Sequence, residues 1–97
     1  MTVEVDGKDI LVNAINYSNK LELLGHYQDV FKPVHENNGE VSQKEFNALL
    51  GHTSELAFSN SDNFEKKYKL NEQINILTKI LMQYLGLSDK EKKDDGG

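Results

Sequence analysis

Cysteine is absent from this chain, and so is tryptophan. Without thiols, neither disulfides nor thiolate metal sites can reinforce the core, and no thiol nucleophile is available. Proline occurs once, at Pro33. Long apolar runs are missing too: no stretch approaches the roughly eighteen uninterrupted apolar residues of a membrane span. The opening MTVEVDGKDI is acidic and lacks such a run, which predicts that it is not a secretory signal. Basic excess is also lacking. Eleven Lys and Arg stand against 16 Asp and Glu, a net charge of −5. That balance argues against nucleic acid or an anionic membrane as the main partner, because both demand a basic footprint. These absences predict a soluble, cytoplasmic protein. Its 97 residues suffice for one domain, and its 37% hydrophobic content is low but compatible with a globular core.

Residues 2–12 alternate, with Val3 and Val5 on one side and Ile10 and Val12 returning. Asp6-Gly7 between them accepts the positive φ angles of a two-residue hairpin turn. A lone hairpin is marginal in water, so it must dock on helices or pair with another chain. From 16 to 32, Leu23, Leu24, Tyr27, Val30 and Phe31 recur at helical spacing, with Ser18 or Asn19 as caps. Pro33 is expected to end that helix, since the residue before a proline is pushed out of the α region. Gly25 within it costs roughly 1 kcal/mol relative to alanine, which points to close packing there.

The strongest start signal is Ser42 with Glu45, an N-cap pair flanked by a staple of Val41 and Phe46. The helix it opens, 42–58, carries Phe46, Leu49, Leu50, Thr53, Leu56 and Ala57 as a stripe. Residues 59–69 are polar and read as a connection, with room for one helical turn after Asp62. Asn71 can cap a further helix over 71–85, closed by Gly86 in a Schellman turn with Leu87 returning to Met82. Ile74, Ile76, Leu77, Ile80, Leu81, Met82, Tyr84 and Leu85 make that helix apolar on more than one side. It is therefore either the central element of the chain or partly buried against another subunit. Residues 88–97 are charged and read as a flexible tail. The expected fold is mainly α: a single helical domain over 1–87, with three main helices and a short N-terminal hairpin or extended segment.

The stretch HENNGEVSQKEF, 35–46, admits a metal reading. With Gly39 as sixth residue of an EF-hand loop, Val41 is the apolar eighth and Glu45 the acidic twelfth. Glu36, Asn38 and Ser42 fall at positions three, five and nine, and the Glu40 carbonyl at seven. Position one, which needs an aspartate, is Val34, and Pro33 interrupts the entering helix. No second loop of this kind follows. Turn glycine, cap and staple explain the same residues without a metal, so no metal and no cofactor is expected. The three histidines, His26, His35 and His52, lack the i, i+4 spacing of a helical zinc pair and read as surface or boundary residues. No serine sits in a GxSxG context, and the glycines form no phosphate loop. Glu4, Asp6 and Asp9 are the exposed charge of a hairpin, and Lys66, Lys67 and Lys69 a solvated connection. No catalysis is expected.

Three stretches, VEVDGKDILV, EFNALLGHTSELAF and LNEQINILTKILMQYLGLSDKEKK, give the chain an arrangement that resembles the tail assembly chaperones of bacteriophages with long non-contractile tails. The resemblance implies a protein of the host bacterial cytoplasm that shields a long, apolar, helical tape measure protein and self-associates. On that reading Phe46, Leu49, Leu50, Ile76, Ile80, Met82 and Tyr84 face the partner or a second subunit. Two other classes remain open: a degenerate EF-hand-like calcium module, and a small acidic inhibitor such as an immunity protein or antitoxin.

Overall fold

The computed structural model describes residues 1–37 and 39–87. The expected charged tail lies outside them. Within them the chain is mainly helical, with four helices and one antiparallel hairpin. None of these helices is long and apolar enough to cross a membrane.

The hairpin forms as its alternation requires. Strands β1, Thr2–Val5, and β2, Lys8–Leu11, pair with Val3 opposite Ile10 and Val5 opposite Lys8. Asp6 and Gly7 both take positive φ, 51° and 81°, the condition for a type I′ turn. Val3, Val5, Ile10 and Val12 therefore share one face, and all four are buried. That face packs on the last helix, which supplies the support an isolated hairpin lacks. Asn75 of that helix donates from its amide to the Asp6 carboxylate at 2.9 Å, pinning the turn.

Helix α1 spans Tyr17–Asn37 and so runs through Pro33, where the sequence predicted a stop. The restriction on the residue before proline is a preference and not a prohibition, and the helix continues for one further turn. Proline withholds a donor from the Asp29 carbonyl, but Asp29 is exposed, where water can replace the missing partner. The end is closed one turn later, where the Gly39 N–H donates to the Pro33 carbonyl at 2.9 Å. A Cβ on Gly39 would lie 3.2 Å from the Pro33 Cβ and 3.3 Å from its carbonyl oxygen, so this closure needs glycine. Gly25 is the opposite case. No atom lies within 4 Å of where its Cβ would be, which corrects the expectation of close packing.

Helix α2, Gln43–Ala57, starts where the cap signal predicts, with Ser42 Oγ accepting the Glu45 N–H at 3.4 Å. Helix α3, Ser61–Lys67, occupies what reads in sequence as a polar connection. Its N-cap is Asn60, whose side chain accepts the Asp62 N–H. Its anchor is a single residue, Phe64, 5% exposed and stacked on Phe58 at 4.4 Å. Helix α4, Leu70–Leu85, begins one turn residue earlier than expected. Glu72 reaches back to accept the Lys69 N–H at 3.0 Å, taking the capping role predicted for Asn71. Its end is as predicted: Gly86 is left-handed, and the Leu87 N–H donates to the Met82 carbonyl at 2.7 Å.

Helix α4 is the centre of the fold. It touches α1, α2, α3 and β1. Ile76, Leu77, Ile80, Leu81 and Tyr84 are buried on it, which accounts for its broad apolar surface. One junction ties three elements together. Asn13, just past β2, donates its N–H to the Ala57 carbonyl at 2.8 Å, and its own carbonyl accepts the Tyr84 hydroxyl at 2.5 Å.

Gly25→Ala should raise the unfolding free energy by up to about 1 kcal/mol, whereas Gly39→Ala should lower it, both read from urea midpoints. Phe64→Ala should cost about 3–5 kcal/mol, and limited proteolysis should then cut first within 59–69.

Candidate functional site

The residues expected to meet a partner divide sharply. Leu49, Leu50, Ile76, Ile80 and Tyr84 are each 5% exposed or less and belong to the chain's own core. Phe46 and Met82 are half-buried. Phe46 meets Phe31 of α1 edge-on at 6.3 Å, and Phe31 lies 4.7 Å from Tyr27. A partner could reach Ile76, Ile80 or Leu49 only by parting the helices.

The apolar surface that stays open is elsewhere. Between α2 and α4 lies a groove of about 410 Å³, with Leu50, Ile74 and Leu77 along its floor. Leu70, 72% exposed, stands at one lip. Asn47, Ser54 and Gln73 supply polar edges, and Glu55 and Glu65 give a rim of negative charge. Gly51 keeps the groove wide, because nothing lies within 4 Å of where its Cβ would be. Sequence periodicity could not separate this opening from the core, since Leu50, Leu77 and Ile74 belong to the same apolar stripes as the buried residues. The signals that could have marked it are a glycine facing out of an amphipathic helix and an exposed leucine at a helix start.

A second hollow, about 350 Å³, lies between β2 and α3, beside Phe58, Phe64 and Tyr68. Those rings already satisfy one another: Phe64 lies 4.4 Å from Phe58 and 5.3 Å from Tyr68, and the Lys67 ammonium sits 5.6 Å from the Tyr68 ring centre. Its polar lining is Asp9, Asn60, Asn63 and Lys67.

No family model, curated protein or solved structure matches this chain.

The stretch considered for calcium is divided between two helices. Val34 to Asn37, positions one to four of the loop, are the last residues of α1. Glu36 is in that helix, 4.0 Å from Lys32 in an exposed pair. Ser42 spends its oxygen on the α2 cap, Glu45 lies in the first turn of α2, and Glu40 is exposed between the helices. Asn38 lies outside the described residues. Among those that are described, no three His, Asp or Glu side chains come together as metal ligands. His26 and His52, expected at the surface or boundary, are half-buried and in contact with each other.

Tyr84 is the titratable group whose environment is clearly altered. Burial raises its phenol above the ordinary value of 10.0, because the phenolate would have to form away from water. The folded value lies above the unfolded one, so Tyr84 favours folding fully below about pH 10. That contribution is lost as the pH rises through the folded value. Tyr84→Phe should cost about 1 kcal/mol at neutral pH through the lost bond to Asn13. It should also flatten the alkaline fall in stability, measured by urea unfolding from neutral pH to about pH 11.

Proposed function

We propose that the chain is a non-catalytic assembly protein that shields an apolar helical segment of a protein partner, seated in the groove between α2 and α4. The groove is the observation that carries this reading. Its floor of Leu50, Ile74 and Leu77 with Leu70 at the lip has the chemistry for one face of an amphipathic helix, read at i, i+3, i+4 and i+7. Glu55 and Glu65 on the rim favour a helix with basic flanks. A net charge of −5 keeps a protein with such an opening in solution. The resemblance to tail assembly chaperones supplies the same partner chemistry, a long apolar helix, and adds self-association in a bacterial host cytoplasm. Leu11 and Tyr17, 76% and 75% exposed, are apolar surface available for that second contact. The reading departs from the sequence expectation in one respect. On this reading the partner-facing residues are Leu70 and Ile74, with the buried Leu50 and Leu77 beneath them, in place of Leu49, Ile76, Ile80 and Tyr84.

The test fills the groove. Gly51→Leu places an isobutyl group in open space on a helix that gains from losing glycine, so folding should be preserved. The probe is a synthetic amphipathic helix with leucine on one face and lysine at both ends. It should bind the parent protein and lose at least about tenfold in affinity to Gly51→Leu. Salt between about 50 and 500 mM should weaken binding only modestly, as the rim pairs are screened while the buried apolar contact remains. Equal binding by the two proteins removes the groove from the interface. Steep loss with salt instead favours a small acidic inhibitor acting through a charged face.

A further inference from the structure

The seam between α1 and α2 contains a contact that the groove does not use. His26 of α1 and His52 of α2 are both half-buried, with their Nδ1 atoms 3.0 Å apart. The ring centres are 5.3 Å apart and the planes inclined by 35°. That centre separation is what two five-membered rings give when the nitrogens point straight at each other. Two lone pairs would repel at this distance, so one ring carries a hydrogen on Nδ1 and the other does not. The contact is an N–H to N bond between two different tautomers. Two facing imidazoles could also suggest a metal clip. Head-on lone pairs do not converge on a third point, however, and no third ligand joins them among the described residues.

Protons act on this pair in two steps. A first proton adds to the Nε2 of the donor ring, so its Nδ1–H still donates to the neutral partner, now with charge assistance. A second proton has to occupy the acceptor Nδ1. Two N–H groups and two positive charges then face each other, and the bond cannot persist.

Carboxylates neighbour the pair along each helix, but none forms an ion pair with either ring among the described residues. On α1, Glu22 and Asp29 stand at i−4 and i+3 from His26, and Tyr27 stacks with Phe31. On α2, Glu55 stands at i+3 from His52. Among the described residues, no carboxylate oxygen lies within 4.0 Å of either ring, the ion pair present being Lys32 with Glu36. Helix α4 packs on both helices and brings Glu72, Lys79 and Tyr84. Glu72 is held at its own helix start, Lys79 is exposed, and Tyr84 donates to Asn13.

We propose that the His26–His52 bond is an acid-sensitive latch between α1 and α2. It joins the helices while the pair carries one added proton or none, and it opens when the second arrives. Acid is therefore the signal that opens it, through the second proton and the loss of the N–H to N bond. Opening loosens the seam over Phe31 and Phe46.

The test compares the full chain with the double variant His26→Gln, His52→Gln, which keeps polar side chains but cannot titrate. From about pH 7.5 to about pH 5, the unfolding equilibrium constant of the parent should rise at least about tenfold more than that of the variant. Equal pH dependence overturns the latch. A second measurement needs no variant. Nitrogen-15 spectra of the parent near pH 7.5 should show one ring hydrogenated on Nδ1 and the other on Nε2. Contact signals between α1 and α2 should vanish as both rings become protonated. Two Nε2–H rings at the start, or α1–α2 contacts that persist with both rings charged, overturn the proposal.

Discussion

The fold depends on the burial of one helix. Helix α4 carries apolar side chains around most of its circumference, and a surface of that kind is stable in water only when covered on several sides. Each of the other elements can be understood as part of that cover. The hairpin presents Val3, Val5, Ile10 and Val12 as one flat face, and α1, α2 and α3 each turn buried side chains inward. A fully buried leucine or isoleucine contributes about 1.5–3 kcal/mol, so the five buried side chains of α4 outweigh any single hydrogen bond in the molecule. Polar contacts serve a different purpose. Asn75 to Asp6, Tyr84 to Asn13 and Asn13 to Ala57 set where the covering elements sit, because each joins groups that only one arrangement brings within reach.

Cover that nearly closes leaves a gap with a shape. Three elements besides the hairpin are too few to wrap α4 completely, and the side next to Gly51 remains open. The same arithmetic of surface explains why the candidate site adjoins the core and is not a separate pocket. Leu50 and Leu77 belong to both. A ligand entering there would complete the burial of α4, and its reward would be hydrophobic in origin. Charge at Glu55 and Glu65 would orient it.

Much of the fold was legible in the sequence wherever local chemistry decides. Asp6-Gly7 between alternating valines specified the hairpin and its turn, Ser42 with Glu45 specified the start of α2, and Gly86 with Leu87 specified the close of α4. Each depends on a few neighbouring residues and their backbone angles. Failures came where distant residues decide. Pro33 reads as a stop, yet α1 continues a turn beyond it to the Gly39 closure. The segment around Phe64 was read as a connection because one aromatic among polar residues gives no periodicity; only Phe58 and Tyr68 in space show why it folds. His26 and His52 are 26 residues apart, and no spacing rule links them. The candidate site was legible in kind but not in place. The sequence identified α4 as unusually apolar, whereas which of its faces remains open is set by the other elements.

The Asn13 junction has a consequence for the order of assembly. Its bond to Tyr84 spans 71 residues of chain, and the turn contact between Asp6 and Asn75 spans 69. Closing loops of that length is entropically costly before any contact repays it. Helices α2 and α4 are connected by a far shorter path, so loop closure opposes their pairing less than it opposes the docking of the hairpin. The hairpin itself closes locally, so the long-range cost falls on its docking and not on its pairing.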